Sequence, residues 1–187
     1  MKSTLLILLI LGAFSGPVTL KEGEYTLNNE ISSMYLEGTS TMHDWMVNVL
    51  SMKGRLSAST DDQHIISIKG ANVEVAVLSM KSGKVNMDKN IYSALKEKDY
   101  PNISFQLKDY SIHNSKMTVK GELTIAGVTK LIETEVVHRI VDNKIEIDGK
   151  LGFKMTEFGI EPPEFLFGAF KTGDEIKLKF YFMFDQV

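Results

Sequence analysis

The densest run of polar side chains in the chain is Gly38-Thr-Ser-Thr-Met-His-Asp-Trp45. Hydroxyls, an imidazole, a carboxylate and an indole stand together there, the raw material for a nucleophile and its base. Adjacent residues of an extended strand point to opposite sides, so His43 and Asp44 do not pair, and no G-x-S-x-G elbow occurs. His43 and Asp44 therefore read as braces for an early strand and its turn, with Trp45 packed beneath, and no catalytic residue is assigned. Trp45 itself reads as a core filler whose N–H meets a backbone carbonyl, in preference to a direct ligand contact. The histidines, His43, His64, His113 and His138, stand at no metal-ligand spacing from one another and have no Cys to help them. No metal or cofactor is expected. His138 shares a strand face with Ile132, Val136 and Ile140, where a lone imidazole is more often a hydrogen-bonded core residue than a ligand, and Thr134 offers a partner. Glu133 and Glu135 lie on the opposite face and read as a solvated edge.

The elements that must position these groups are almost all strands. Gly149 to Met155 alternates Leu151, Phe153 and Met155 against Lys150, Gly152 and Lys154, and Glu175 to Phe184 repeats the pattern with Ile176, Leu178, Phe180, Phe182 and Phe184. Alternation at period two places apolar groups on one side and charge on the other. Ile103, Phe105 and Leu107 follow it, as do Met117, Val119, Leu123 and Ile125. Trp45 to Leu50 is apolar on both sides and reads as a well-buried strand. Turn signals at Ser59 to Gln63, His113 to Ser115 and Asp142-Asn143 separate the runs, which indicates an antiparallel meander. Roughly eight or nine strands of this kind close into a barrel wide enough for one small ligand. One segment breaks the rhythm: Asn86 to Pro101 reads as a short amphipathic helix, capped at Asn86 or Asp88, with Ile91 and Leu95 a turn apart. Between the last two aromatic strands lies Phe158 to Phe170, a connection studded with Phe where loops are usually polar. Pro162-Pro163 and Gly168 punctuate it, and Phe165, Phe167 and Phe170 pack either on the barrel end or on a ligand.

Bulk properties set the class. Of 187 residues, the first 16 read as an export signal: a positive start at Lys2, an apolar run from Leu5 to Leu11, and small residues at cleavage spacing. That run is too short to span a bilayer comfortably, and no later segment is long and apolar enough. The remaining 17–187 fit one domain. The absence of Cys excludes disulfides and an acyl-cysteine anchor. A net charge of −3 with interspersed signs and no basic block excludes nucleic acid as a partner.

Four blocks in order then carry a resemblance: Gly38 to Trp45; Met87 to Leu95 running to Tyr100-Pro-Asn-Ile-Ser-Phe105; Gly121-Glu-Leu-Thr-Ile-Ala-Gly-Val-Thr-Lys130; and Met155-Thr-Glu-Phe-Gly-Ile-Glu-Pro-Pro163 with Gly168 and Gly173-Asp174. The chain resembles the YceI-like family of exported, lipocalin-like barrels. Glu157 departs from the family's usual Asp before Phe-Gly-Ile. The resemblance implies an antiparallel barrel with a helix near one end, holding an isoprenoid or other amphiphilic lipid, and it implies binding without a reaction. The expectation is thus a periplasmic or secreted protein that carries a polyisoprenoid, quinone or fatty amphiphile, with a homodimer left open. Expected ligand contacts are Trp45, Leu95, Phe105, Leu123, Ile125, His138, Leu151, Phe153, Met155, Phe158, Phe165, Phe167, Phe170, Phe180 and Phe182. Two alternatives stand beside it: a hydrolase working through His43 or His138 on a lipid-like substrate, and a ligand-free stress or interaction module with a filled barrel.

Overall fold

A computed structural model describes residues 20–61, 64–165 and 170–187. In chain order its strands are β1 (Lys21–Leu27), β2 (Ser33–Ser40), β3 (Trp45–Val49), β4 (Met52–Thr60), β5 (Ile65–Ala76) and β6 (Met80–Lys81). After helix α1 (Val85–Ala94) come β7 (Asn102–His113), β8 (Lys116–Ile125), β9 (Val128–Val141), β10 (Lys144–Lys154), β11 (Glu164–Phe165) and β12 (Phe170–Gln186). Eight of them, β1, β4, β5, β7, β8, β9, β10 and β12, close antiparallel into a barrel. The ring is completed where Tyr25, Thr26 and Leu27 meet Gln186, Asp185 and Phe184. The long β12 takes two neighbours on that side: its end pairs β1, and Thr172 to Tyr181 pairs β2, beyond which β3 and β6 follow.

Alternation builds the interior. On β10 Ile145, Ile147, Leu151 and Phe153 belong to the core, and the inward position between them is Gly149. A Cβ there would stand 2.5 Å from Phe180 Cζ and 2.8 Å from Val136 Cγ1, so only glycine lets the Phe180 ring lie across the pleat. Gly121 on β8 makes the same room for Phe105. The tight turns also follow the residues: Asp142 and Asn143 both hold positive φ, at 52° and 62°, as do Ala126 and Gly127, at 48° and 82°. Two central residues in that region match the twist of a two-residue hairpin.

Three expectations need correction. Trp45 to Leu50 is not buried on both sides: Val47 and Val49 are buried, while Met46 and Leu50 are exposed, as ordinary alternation dictates. The helix starts earlier, with Lys84 at its N-cap, because Asp88 turns to Ser82, accepting from its backbone N–H at 2.7 Å and its hydroxyl at 2.6 Å. It also ends at Ala94, well short of Pro101, since Lys96 takes a left-handed φ of 52°.

Two seams interrupt the otherwise continuous ladder. β5 pairs β7 only from Asn72 to Ala76, and β9 pairs β10 only beyond Val136 and Gly149, toward their shared hairpin. Where the strands part, a hydroxyl bridges them. Tyr110 OH accepts from the Ile68 N–H at 2.9 Å, and Thr134 Oγ1 donates to the Lys150 carbonyl at 2.6 Å.

Candidate functional site

The barrel encloses two adjoining chambers. The deeper has a volume of about 160 Å³ and a wall drawn from β2 to β12, apolar except for Thr134. A cavity of about 150 Å³ lined by aliphatic and aromatic side chains stays dry and accepts apolar guests, so a chamber of this size and lining offers a lipophile nothing but burial. Phe105, Leu123, Ile125, Leu151, Phe153, Phe180 and Phe182 all line it. Phe180 and Phe182 stack with centroids 4.7 Å apart.

The second chamber, about 330 Å³, lies between the helix end of the barrel and α1. Trp45, Leu95, Met155 and Phe170 line it, together with Met87 and Ile91 on the inner face of α1. Ile125 and Phe153 are common to both chambers and form part of the neck between them. Its rim is polar: Ser40, His43, Lys84, Asn90 and Lys171.

That rim is built by two connections. His43 and Asp44 lie in the turn between β2 and β3 and not on a strand, because Ser40 folds the chain over. The Ser40 hydroxyl accepts from the N–H groups of Met42 and His43 at 3.3 and 3.2 Å and donates to the His43 carbonyl at 2.7 Å. Trp45 Nε1 donates to the Thr39 carbonyl at 3.0 Å, and its ring packs over Gly38. The second connection, Ser82 to Lys84, delivers the Lys84 ammonium to the turn, where it donates to His43 Nε2 at 3.2 Å. Accepting there requires a neutral imidazole with its proton on Nδ1.

Other expected contacts fall elsewhere. Phe158 is 1% exposed and lines neither chamber; it meets Phe153 edge to face at 5.4 Å and 79°, backing the wall of both. His138 is 2% exposed, lines neither chamber, and finds no hydrogen-bond partner for either ring nitrogen. Thr134, the expected partner, is committed to Lys150. Burial lowers the His138 pKa below its ordinary 6.5, and nearby His64 pushes the same way. Phe165 sits in β11, opposite Phe170 in the two-residue pairing with β12. Phe167 and Gly168 lie outside the described residues, as does the export signal over 1–16. Sequence reading missed Lys84 altogether. Its signal was faint, a lysine two residues after Ser82 in a Gly-containing link.

Among the described residues no group of three or more His, Asp or Glu could hold a metal ion, and no helix is long and apolar enough to cross a membrane. With its interior apolar and its eight strands closed antiparallel, the molecule is a lipocalin-like β-barrel. The chain belongs to the YceI-like domain family, whose family model matches residues 25–184. Solved structures carry the same fold. Burkholderia cenocepacia BcnA superposes with a TM-score of 0.70 at 17% identity, covering 84% of this chain and 98% of its own. A polyisoprenoid-binding domain from Saccharophagus degradans, implicated in plant cell wall breakdown, gives 0.67 at 13% identity over 87% and 98%. The Campylobacter jejuni YceI protein gives 0.60 at 20% identity over 75% and 84%. No curated protein matches the sequence.

Proposed function

We propose that this protein is an exported carrier that holds one long-chain lipophile, a polyisoprenoid, quinone or similar amphiphile, with its tail running through the outer chamber and its end in the deep one. The carrying observation is the deep chamber itself, whose wall holds one hydroxyl among aliphatic and aromatic side chains. Burial in such a wall favours an apolar tail by about 25 cal/mol per Å², and a polar head would remain at the open end. The Saccharophagus degradans domain, a polyisoprenoid binder by name, shares this fold and supports the choice of tail. A carrier needs no turnover, and the hydrolase alternative lacks support at both histidines. His43 Nε2 is engaged by Lys84, and His138 lines neither chamber. A filled-barrel module would have no need of adjoining cavities. Export rests on the N-terminal run Leu5 to Leu11 and on the absence of Cys.

Native mass spectrometry of the protein purified without detergent tests this, followed by extraction and identification of the bound lipid. The expected result is a mass excess of one lipid, lost in Leu151→Trp, whose indole occupies the deep chamber while the sheet circular-dichroism signal is kept. A parent that carries no lipid and takes up none of an added polyprenol, quinone or fatty amide would overturn the reading.

A further inference from the structure

We infer that the rim of the outer chamber is an anion site, in which Lys84, steadied by His43, holds a carboxylate or phosphate head whose tail runs into the barrel. The inference rests on the carrier reading and adds the charge of the head.

Three observations converge on this rim. The first is a cation at the chamber mouth without an ion-pair partner. Lys81 donates to the Tyr92 hydroxyl and Lys171 pairs with Glu164 at 3.1 Å, but the exposed Lys84 Nζ meets the ring of the exposed His43. Among the described residues no carboxylate stands within ion-pair distance of Lys84. The second is the composition of the wall. In a chain with a net charge of −3, the outer chamber is lined by His43, Lys84 and Lys171 and by no Asp or Glu. The nearest acid on α1, Asp88, is turned away to Ser82. The third is the start of α1: its N-cap is Lys84 itself, with no side-chain cap. Asp88 in the first turn offsets part of the helix dipole, so the ammonium is the main positive charge at this end.

Geometry supports a single head held by the Lys84 ammonium. His43 Nε2 accepts from Lys84 Nζ at 3.2 Å and so fixes the ammonium at the mouth of the chamber. Lys84 has further N–H bonds to offer an anion there. The apolar residues around them, Trp45, Met87 and Ile91, exclude water from one side of the head and lead toward the neck at Phe153.

The test uses the full mature chain, stripped of lipid, with oleic acid, oleyl phosphate and oleyl alcohol measured by isothermal calorimetry. These share a tail and differ in the head. The parent should bind both anions at least tenfold more tightly than the alcohol, with an advantage that shrinks as salt is raised. Lys84→Met keeps the apolar stem and should remove most of that advantage, read as the ratio of anion to alcohol affinity within the same variant. Lys84→Glu should reverse it. A preference for one anion over the other identifies carboxylate or phosphate as the natural head. Equal affinity for acid and alcohol in the parent, or an anion preference untouched in Lys84→Met, overturns the anion site and leaves the carrier reading standing. Failure of the alcohol and both anions to bind overturns the anion site, and uptake of polyprenol, quinone or fatty amide then decides the carrier reading separately.

Discussion

The two chambers of this barrel obey different rules. The deep chamber is walled by strands, and period-two alternation sends every charged side chain outward. Only Thr134 brings a polar atom to its wall, and that hydroxyl is spent on the Lys150 carbonyl. The outer chamber is walled partly by connections, the turn from Ser40 to Asp44 and the link from Ser82 to Lys84, where no alternation applies. There Lys84 and His43 can stand beside Trp45 and Met87. Regular structure therefore makes the apolar end of the barrel, and irregular structure makes the end where charged side chains reach the cavity.

The sharpest way to break that division is at Phe158, which touches neither chamber yet backs the wall of both through Phe153. Phe158→Ala removes a fully buried ring and leaves a space beside the neck. It should cost about 3–5 kcal/mol, as for large-to-small changes in cores, and merge the chambers into a single, less selective cavity. Urea unfolding gives the first effect; loss of discrimination between lipids differing only in head gives the second. A cost below about 1 kcal/mol would mean that the neck closes up without help from Phe158.

The dry end was legible in the sequence because its rule is simple. Leu151, Phe153, Phe180 and Phe182 could be placed on the inner face by counting in twos, and all of them line the deep chamber. The family blocks pointed to the barrel and its helix, and the family model and closed eight-strand ring agree. The wet end was not legible. His43 and Lys84 are 41 residues apart, and nothing in local pattern says that a β2–β3 turn and a helix N-cap will meet. Phe158 was misplaced for a related reason. It was expected to touch the ligand from a Phe-rich connection, but Met155 to Phe158 winds into one tight helical turn, closed by Gly159 at a left-handed φ of 66°, which folds the ring into the core. His138 was placed correctly on the inner face, while its missing partner depended on the seam that draws Thr134 to Lys150.

His138 sharpens the comparison from the dry side, since it is a buried polar group lining neither chamber. Two ring nitrogens without partners cost about 1–3 kcal/mol relative to an apolar side chain of similar size. His138→Leu should therefore stabilise the protein by that order. The pH dependence has a definite sign. Burial lowers the folded-state pKa below 6.5, so between the two values the unfolded chain holds a proton that the folded protein does not. Stability from the neutral ring is complete above 6.5 and falls as pH drops below it, levelling once pH passes the lower folded value. His64, which lies 3.5 Å from Asp61, adds to the lowering of the His138 pKa. Chemical denaturation at pH 8 and pH 5 should show a decline in the parent that is reduced in His138→Leu. Parallel pH profiles for the two proteins would place the sensitivity elsewhere.

The smallest effect is expected at Thr134, the one polar residue of the deep chamber. Valine matches threonine in shape and keeps the wall intact, but it removes the hydroxyl that bridges β9 and β10 where their ladder has ended. A hydrogen bond of this kind contributes about 1 kcal/mol net. The Lys150 carbonyl it would release lies at a part-exposed seam where water can replace the donor, so Thr134→Val should lower stability by no more than that. Lipid affinity should hold or rise slightly, because the tail then meets an unbroken apolar wall. Amide exchange along Leu131 to Thr134 and Lys150 to Phe153 separates two roles for the hydroxyl. Faster exchange confined to these residues, with affinity retained, identifies it as a clasp on the seam. A marked loss of lipid affinity in Thr134→Val would instead make the hydroxyl a ligand contact, and the deep chamber would no longer be a purely apolar site.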